Sequence, residues 1–400
     1  MKVLFTSPFL MYPAAGGPYL RSENSVKALA AVSELHVISR IAPFAMGGHS
    51  AVEFYKKWSK VFLFAPTVAN LSSNRYIRFI QRHLRRFLSN DAKFIVRYAK
   101  KHDIQIIWFG FGNVSFPLMK QISELEPSLR LICDTDSVWS RFIFRELPFV
   151  DNDKEQKRII SETQLKEAEE KAWVNLCNVT TAVSEVDAKY YRFLTKEQSK
   201  VALFSNVLDL DNYANKMPAP AHLKSPAIYL AGSFGKESSA MNRAAVWLLN
   251  GILPLVKKRI PNVHCYILGS YSDVAFRHVK DPAVTILGKV DTVLPYLKHM
   301  TVALTPLQFE SGTRFKILEA AACKVPMVST TLGAEGLPVV HDEHILIADT
   351  TEDFAEAIIR IILNDDLAER LANNSYELVK QYFGLDRLTQ EARDILAKVS

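Results

Sequence analysis
Residues Pro306 to Leu337 read PLQFESGTRFKILEAAACKVPMVSTTLGAEGL. An apolar run, Val302–Leu304, precedes them and reads as a strand that ends at Thr305-Pro306. A loop with Glu310, Ser311 and Gly312 follows, and Thr313 is placed to cap a short helix carrying Arg314, Lys316 and Glu319. The chain then enters a second strand at Pro326–Ser329. In an open α/β sheet a loop so placed lies at the carboxyl end of the strands, where ligands bind. Small residues at a helix start expose backbone N–H groups that suit an anion. Arg314 and Lys316 add positive charge, and the Glu319 carboxylate offers acceptors for a sugar diol. Phosphate donors followed by a ribose acceptor outline a nucleotide-sugar site. For Lys316 and Glu319 alone an ordinary reading stands beside it: three apart on one helix, they can be an exposed ion pair worth about 0.2–0.5 kcal/mol.

Strands and helices alternate on both sides of this stretch. Before residue 210 strands are expected at Val3–Phe5, His36–Ser39, Val61–Phe64, Ile104–Phe109, Leu129–Cys133, Val179–Ala182 and Val201–Leu203, with helices at Leu20–Ala31, Tyr76–Lys101, Lys154–Cys177 and Ser184–Leu194. After it they are expected at Ala227–Ala231, Val263–Leu268, Val284–Leu287, Val302–Leu304, Met327–Ser329 and Ile345–Ile347. Val- and Ile-rich strands separated by helices indicate parallel doubly wound sheets. The Pro/Ala-rich stretch from Lys216 to Pro226 reads as a linker. The chain has 400 residues, more than the ~250–300 at which single cores stop growing, and this also points to two domains. The expected division is 1–210, 211–384 and a final helix over 385–400.

Composition narrows the class. Hydrophobic residues make up 48% and charged residues 23%, as in a soluble globular enzyme. The cysteines Cys133, Cys177, Cys265 and Cys323 are scattered and indicate neither a zinc knuckle nor a disulfide framework. No apolar stretch nears the ~20 residues that span a bilayer. The apolar start, Met1–Phe9, is broken by Ser7-Pro8 and reads as a strand rather than a signal peptide, so a cytoplasmic location is expected. Lys and Arg number 49 against 42 Asp and Glu. With a pI near 9.0 this suits an anionic partner, nucleotide phosphates or a membrane face.

The run Gly312-Thr-Arg-Phe-Lys-Ile-Leu-Glu319-Ala320, with Pro326, Val328, Ser329 and Thr330, resembles the donor-binding stretch of the family-4 retaining glycosyltransferases, in the bacterial branch that reads G-T-R-x-K-I-L-E-A. The resemblance implies the GT-B fold, two Rossmann-like doubly wound parallel-sheet domains facing a central cleft. It implies an acceptor-binding first domain, a nucleotide-sugar-binding second domain and a last helix that packs back on the first. It also implies a metal-independent hexosyl transfer with retention, from a nucleotide-sugar donor to a glycan or lipid-linked acceptor, in surface polysaccharide or glycolipid synthesis. No cofactor is expected, because the nucleotide-sugar is a substrate, and no metal. Two departures stand out. The family spaces its two glutamates one residue closer than Glu310 and Glu319, which puts Ser311 in register, and Lys324 replaces a family glycine. A sugar-nucleotide 2-epimerase, which shares the fold, and a catalytically inactive nucleotide-sugar-binding subunit are the alternatives.

Weaker signals join this reading. Gly16-Gly17 matches a family Gly-Gly loop that faces the donor diphosphate, although glycines are also the default at tight turns. Arg21 falls in a first helical turn, where the dipole disfavours a cation, so it is expected to meet an anion. Lys236, in the loop after Ala231, is either a diphosphate ligand or a solvated residue. Asp134 and Asp136, at a strand end, are the candidate catalytic carboxylates; the other reading is an Asp turn capping the next helix. Asn206 resembles a family hinge and is expected to order the interdomain connection. From Arg75 to Lys101 basic residues interleave with Tyr76, Phe79, Ile80, Phe87 and Phe94. That helix is either a docking face for anionic lipid, making the enzyme peripheral on the membrane, or an ordinary amphipathic helix. No nucleic-acid-binding module accompanies the charge.

Overall fold
The computed structural model describes residues 1–14, 16–69, 71–74, 76 and 90–399. The chain divides into two compact units, Met1–Val207 with Leu385–Ser400, and Leu208–Gly384. The Lys216–Pro226 stretch therefore lies inside the second unit and is not a linker. It is tied there by the backbone N–H of Lys224, which donates to Tyr266 Oη at 2.9 Å, and by His299 Nε2 against Met217 O at 2.8 Å.

The first unit is built on seven strands, β1 (Lys2–Ser7), β2 (Glu34–Ser39), β3 (Val61–Phe64), β4 (Ile106–Gly110), β5 (Arg130–Asp134), β6 (Val179–Ala182) and β7 (Val201–Leu203). All pair in parallel, in the order β3-β2-β1-β4-β5-β6-β7. Side chains alternate across a sheet, and here both faces are covered. Leu4, Ile38, Ile107, Phe109, Leu131 and Cys133 join one apolar layer, whereas Val3, Phe5, Val37, Ile106, Trp108 and Ile132 join the other. A strand buried on both sides reads as an unbroken apolar run, as β4 does.

The helix Leu385–Lys398 belongs to this unit. Its Leu388, Ala392, Ile395 and Leu396 share a layer with Val26 and Leu29 of the helix Gly17–Ala30. Glu391 pins it by accepting from Ser205, N–H at 2.7 Å and Oγ at 2.9 Å. Of the single helix expected over Tyr76–Lys101, the described part is a helix that starts at Asp91. Asn90 has extended backbone, and its side chain accepts from Lys93 N–H to cap this helix, Asp91–His102. Residues 75 and 77–89, with most of the basic face, lie outside the described residues.

The second unit contains β8 (Ala227–Ala231), β9 (His264–Leu268), β10 (Val284–Gly288), β11 (Val302–Thr305), β12 (Met327–Ser329) and β13 (Leu346–Ile347), parallel and in the order β10-β9-β8-β11-β12-β13. Its core joins Ile228, Leu230, Ile267, Leu304 and Val328 to Phe354 and Ile358 of the helix Thr351–Leu363. In each sheet the order reverses once, at β1/β4 and at β8/β11. In open α/β sheets, ligands bind beyond the carboxyl ends of the strands at such a reversal. Among the described residues no helix is long and apolar enough to cross a membrane.

Candidate active site
The loops beyond β8 and β11 lie on either side of the reversal in the second unit. After β11 the loop turns at Gly312, whose φ of 78° lies in the left-handed region open to glycine, and Ser311 is buried. The following helix spans Phe315–Ala322, and Arg314 rather than Thr313 occupies its N-cap position. Arg314 is also buried. Its guanidinium donates to Gly312 O and, at 2.9 Å, to Leu332 O. These bonds bind the loop to the segment after β12, so Arg314 shapes the loop, and the charge expected from it toward a diphosphate is turned inward.

Lys316 and Glu319 are both partly buried, and among the described residues no ion pair joins them, which sets aside the exposed-pair reading. Lys316 Nζ lies 3.0 Å from Met241 Sδ, in the helix Ala240–Trp247 that follows the β8 loop. Burial depresses the Lys316 ammonium to about 8 against the raising influence of Glu310 and Glu319, and Arg314 adds to the lowering. Glu319 Oε1 accepts from Tyr213 Oη at 3.0 Å. Burial raises its carboxyl to about 7, opposed by that bond and by Lys316. Two oppositely charged groups are thus held desolvated and incompletely paired, an arrangement frequent at ligand sites. Tyr213, on the short helix Asp211–Ala214, and Met241 are contributors that no local pattern marks.

Glu310 and Thr313 are partly exposed beside this pair, with Ser311 N–H 3.3 Å from Glu310 Oε1. Lys236 is exposed, and its carbonyl accepts from the Asn242 amide at 2.8 Å, which closes the loop against its helix. Lys324 has φ 55°, the conformation its family glycine would adopt without strain. Its ammonium sits 4.6 Å from the Tyr376 ring centroid, so the charge is spent on a cation–π contact.

If the form competent to bind a nucleoside diphosphate has Lys316 charged and Glu319 ionised, affinity should be greatest between pH 7 and pH 8. It should fall on the acid side as Glu319 takes a proton and on the alkaline side as Lys316 loses one. Calorimetric titrations from pH 6 to pH 9.5 check this; a flat profile excludes the pair from binding.

In the first unit the structure brings Arg21 and Asp134 together. Both are buried and they form an ion pair. Arg21 also donates to Asn206 Oδ1 at 2.8 Å and to Phe204 O at 3.1 Å, and Asp134 Oδ1 accepts from Thr181 Oγ1 at 2.8 Å. Arg21 does meet an anion, but that anion is Asp134, and each candidate occupies the other. Asn206 is accordingly a strut of the first unit. Asp136 differs. It is partly buried and accepts from Asn113 Nδ2 at 2.6 Å and from Trp139 Nε1 at 3.4 Å. Burial raises its pKa against those two bonds. A half-buried carboxyl shifted upward suits proton transfer or acceptance from a hydroxyl. Gly16 has φ 95° and ψ 164°, a glycine-only conformation, and it caps the helix that begins at Gly17.

Residues 226–364 match the sequence profile of the family described as glycosyl transferases group 1. An uncharacterized 44.6 kDa protein from the cps region of Klebsiella pneumoniae is 23% identical over 147 residues, which is 34% of this chain and 38% of that protein. The match thus spans well under half of that curated relative. The crystal structure of HepE from Anabaena, in complex with UDP and glucose, superposes with a TM-score of 0.67 at 13% identity over 99% of both chains. Sucrose-phosphate synthase from Thermosynechococcus elongatus superposes with a TM-score of 0.71 at 16% identity, over 100% of this chain and 99% of that one. At such identities the likeness establishes the fold, two Rossmann-like α/β units of the GT-B kind. Within that fold, the stretch similar to the glycosyl transferases group 1 family is residues 226–364, about a third of the chain.

Proposed function
We propose that this protein is a retaining glycosyltransferase of the family-4 type, which moves a hexosyl group from a nucleoside-diphosphate sugar held by the second unit to an acceptor hydroxyl held by the first. The observation that carries this reading is the half-buried Lys316 and Glu319 pair at the β8/β11 reversal, within the segment that matches the group 1 profile. Lys316 neutralises charge on the diphosphate as the bond from sugar C1 to its oxygen breaks. Glu319, oriented by Tyr213, accepts hydrogen bonds from a ribose diol. Gly312 and its neighbours present backbone groups to phosphate or sugar. The acceptor oxygen bonds to C1 and gives up its proton to the Asp136 carboxylate, the proposed base of the first unit. The complex of HepE with UDP-glucose makes UDP-sugars the first donors to try. The relative from a cps region supports an acceptor in polysaccharide synthesis.

The test is a thermal-shift screen of nucleotide sugars followed by product analysis with glycan and lipid-linked acceptors. Stabilisation by one donor, with transfer, supports the reading. Conversion of the donor alone to its 2-epimer replaces it, and tight binding without either reaction leaves a binding subunit. Since Lys316 and the helix start supply the charge at the leaving group, we expect transfer to survive EDTA. Loss of activity with rescue by Mn²⁺ would instead make the Asp134-Thr135-Asp136 segment a candidate metal site.

Membrane attachment through residues 75–101 belongs to the same proposal. Charge reversal at Arg78, Arg82 and Arg85 is expected to reduce sedimentation with anionic liposomes, as is high salt. Wild-type protein that ignores such liposomes at low salt removes the peripheral location from the reading.

A further inference from the structure
Arg40 directly follows β2, and its backbone N–H donates to Ser7 O at 3.0 Å, at the carboxyl end of β1. Its side chain reaches Ser115, beyond β4, where Nη2 donates to Oγ. That hydroxyl has given its own hydrogen to Phe111 O at 3.0 Å, so it meets the guanidinium only as a neutral acceptor. Arg40 thus lies across the β1/β4 reversal of the first unit. Among the described residues it forms no ion pair, and its Nε is sealed from solvent without a hydrogen-bond partner. Asp91 is the anion whose charge reaches it, but that carboxylate is held by Thr67 through its N–H, at 3.1 Å, and its hydroxyl. Burial lowers the guanidinium to about 10 against the raising influence of Asp91.

Arg21, in the same unit, shows what a structural arginine looks like here: its Nε is likewise sealed without a partner, but the rest of its guanidinium is met by a carboxylate, an amide oxygen and a backbone carbonyl. Arg40 is partly exposed, and its one side-chain partner among the described residues is the neutral Ser115 hydroxyl. A half-buried charge so poorly paired costs the unliganded fold, and charges of this kind concentrate where a ligand supplies the missing partner.

We infer that Arg40 and Ser115 form an oxyanion-binding site of the first unit, which takes a phosphate or carboxylate carried by the acceptor. The acceptor assignment rests on the glycosyltransferase reading; the oxyanion site itself does not. A guanidinium engages either group through two parallel hydrogen bonds. Phe9, two residues beyond Ser7 and partly exposed, packs on Phe111 at 4.6 Å between centroids and places a ring face at the same strand ends. A cation and a ring face together suit a sugar acid or a sugar phosphate over a neutral sugar.

Full-length protein, Arg40→Gln and Arg40→Lys are titrated at low ionic strength with glycerol phosphate, glucuronate and glucose. UDP is present in excess, and its own binding is measured first. The wild type is expected to be stabilised by at least one of the two anions and not by glucose. Arg40→Gln should weaken that anion at least tenfold and Arg40→Lys less, with UDP affinity unchanged in both. Unliganded Arg40→Gln should melt at or above the wild type, because an unpaired charge has been removed. The inference fails if neither anion binds, if Arg40→Gln binds as well as the wild type, or if that variant melts several degrees lower, which makes Arg40 a strut. The preferred anion identifies the group on the acceptor. Anion binding without UDP binding discards UDP as the donor nucleotide and leaves the site standing; UDP binding without anion binding does the reverse.

Discussion

Arg21→Ala is expected to destabilise the protein by about 3–5 kcal/mol, the range for removing one partner of a buried ion pair. Arg21 and Asp134 are 3% and 1% exposed, so water cannot take over the guanidinium's task. The substitution leaves the Asp134 carboxylate with Thr181 Oγ1 as its remaining side-chain donor, and it leaves Asn206 Oδ1 and Phe204 O without their arginine. Asp134→Asn should cost less, because an amide can still accept from Arg21. The double change Arg21→Met with Asp134→Leu should recover much of the loss, since no buried charge is stranded. Denaturant unfolding measures each of these changes, and the single variants Arg21→Met and Asp134→Leu close the cycle that gives the coupling energy. Arg21→Ala that folds with wild-type stability and loses only activity would overturn the structural role and restore Arg21 as a ligand for an incoming anion.

The second large effect is expected at Glu319. Glu319→Ala should weaken the nucleoside diphosphate by ~1.5–3 kcal/mol, the worth of a hydrogen bond to a charged group, or roughly 10–150-fold. The loss should be seen with the nucleotide alone and not only with the sugar attached. Unchanged affinity in titration calorimetry removes Glu319 from the nucleotide site. A stability readout accompanies it. Burial raises the Glu319 carboxyl from 4.5 to about 7, so ionisation costs the folded state more than the unfolded chain. The stabilisation from this group is complete below its ordinary value and is lost as pH rises through about 7. Glu319→Gln does not ionise. Its melting temperature relative to wild type should therefore climb between pH 5 and pH 8, while its nucleotide affinity at pH 7.5 falls. A ligand site held at a cost to stability has this signature.

What the sequence by itself determined is the fold class and the place of nearly every strand. Runs such as Ile106–Gly110 and His264–Leu268 are apolar without alternation because both sheet faces are covered, and this is a local property of the chain. The Gly312 to Glu319 stretch was legible as a candidate site for the same reason, since a loop, a helix and three charged residues lie within one short segment. Tertiary structure alone decided what those charges do. Arg21 meets an aspartate 113 positions away, and Glu319 meets a tyrosine 106 positions away. Arg314, written next to Lys316 in a run that treats the two alike, turns inward to Gly312 and Leu332, whereas Lys316 stays against Met241. Asn90 caps a helix that starts at Asp91, a boundary that the basic amphipathic pattern running across it does not mark. Periodicity records which side of an element is covered. Strand order records what covers it, and the partner of a buried charge belongs to the second kind of information.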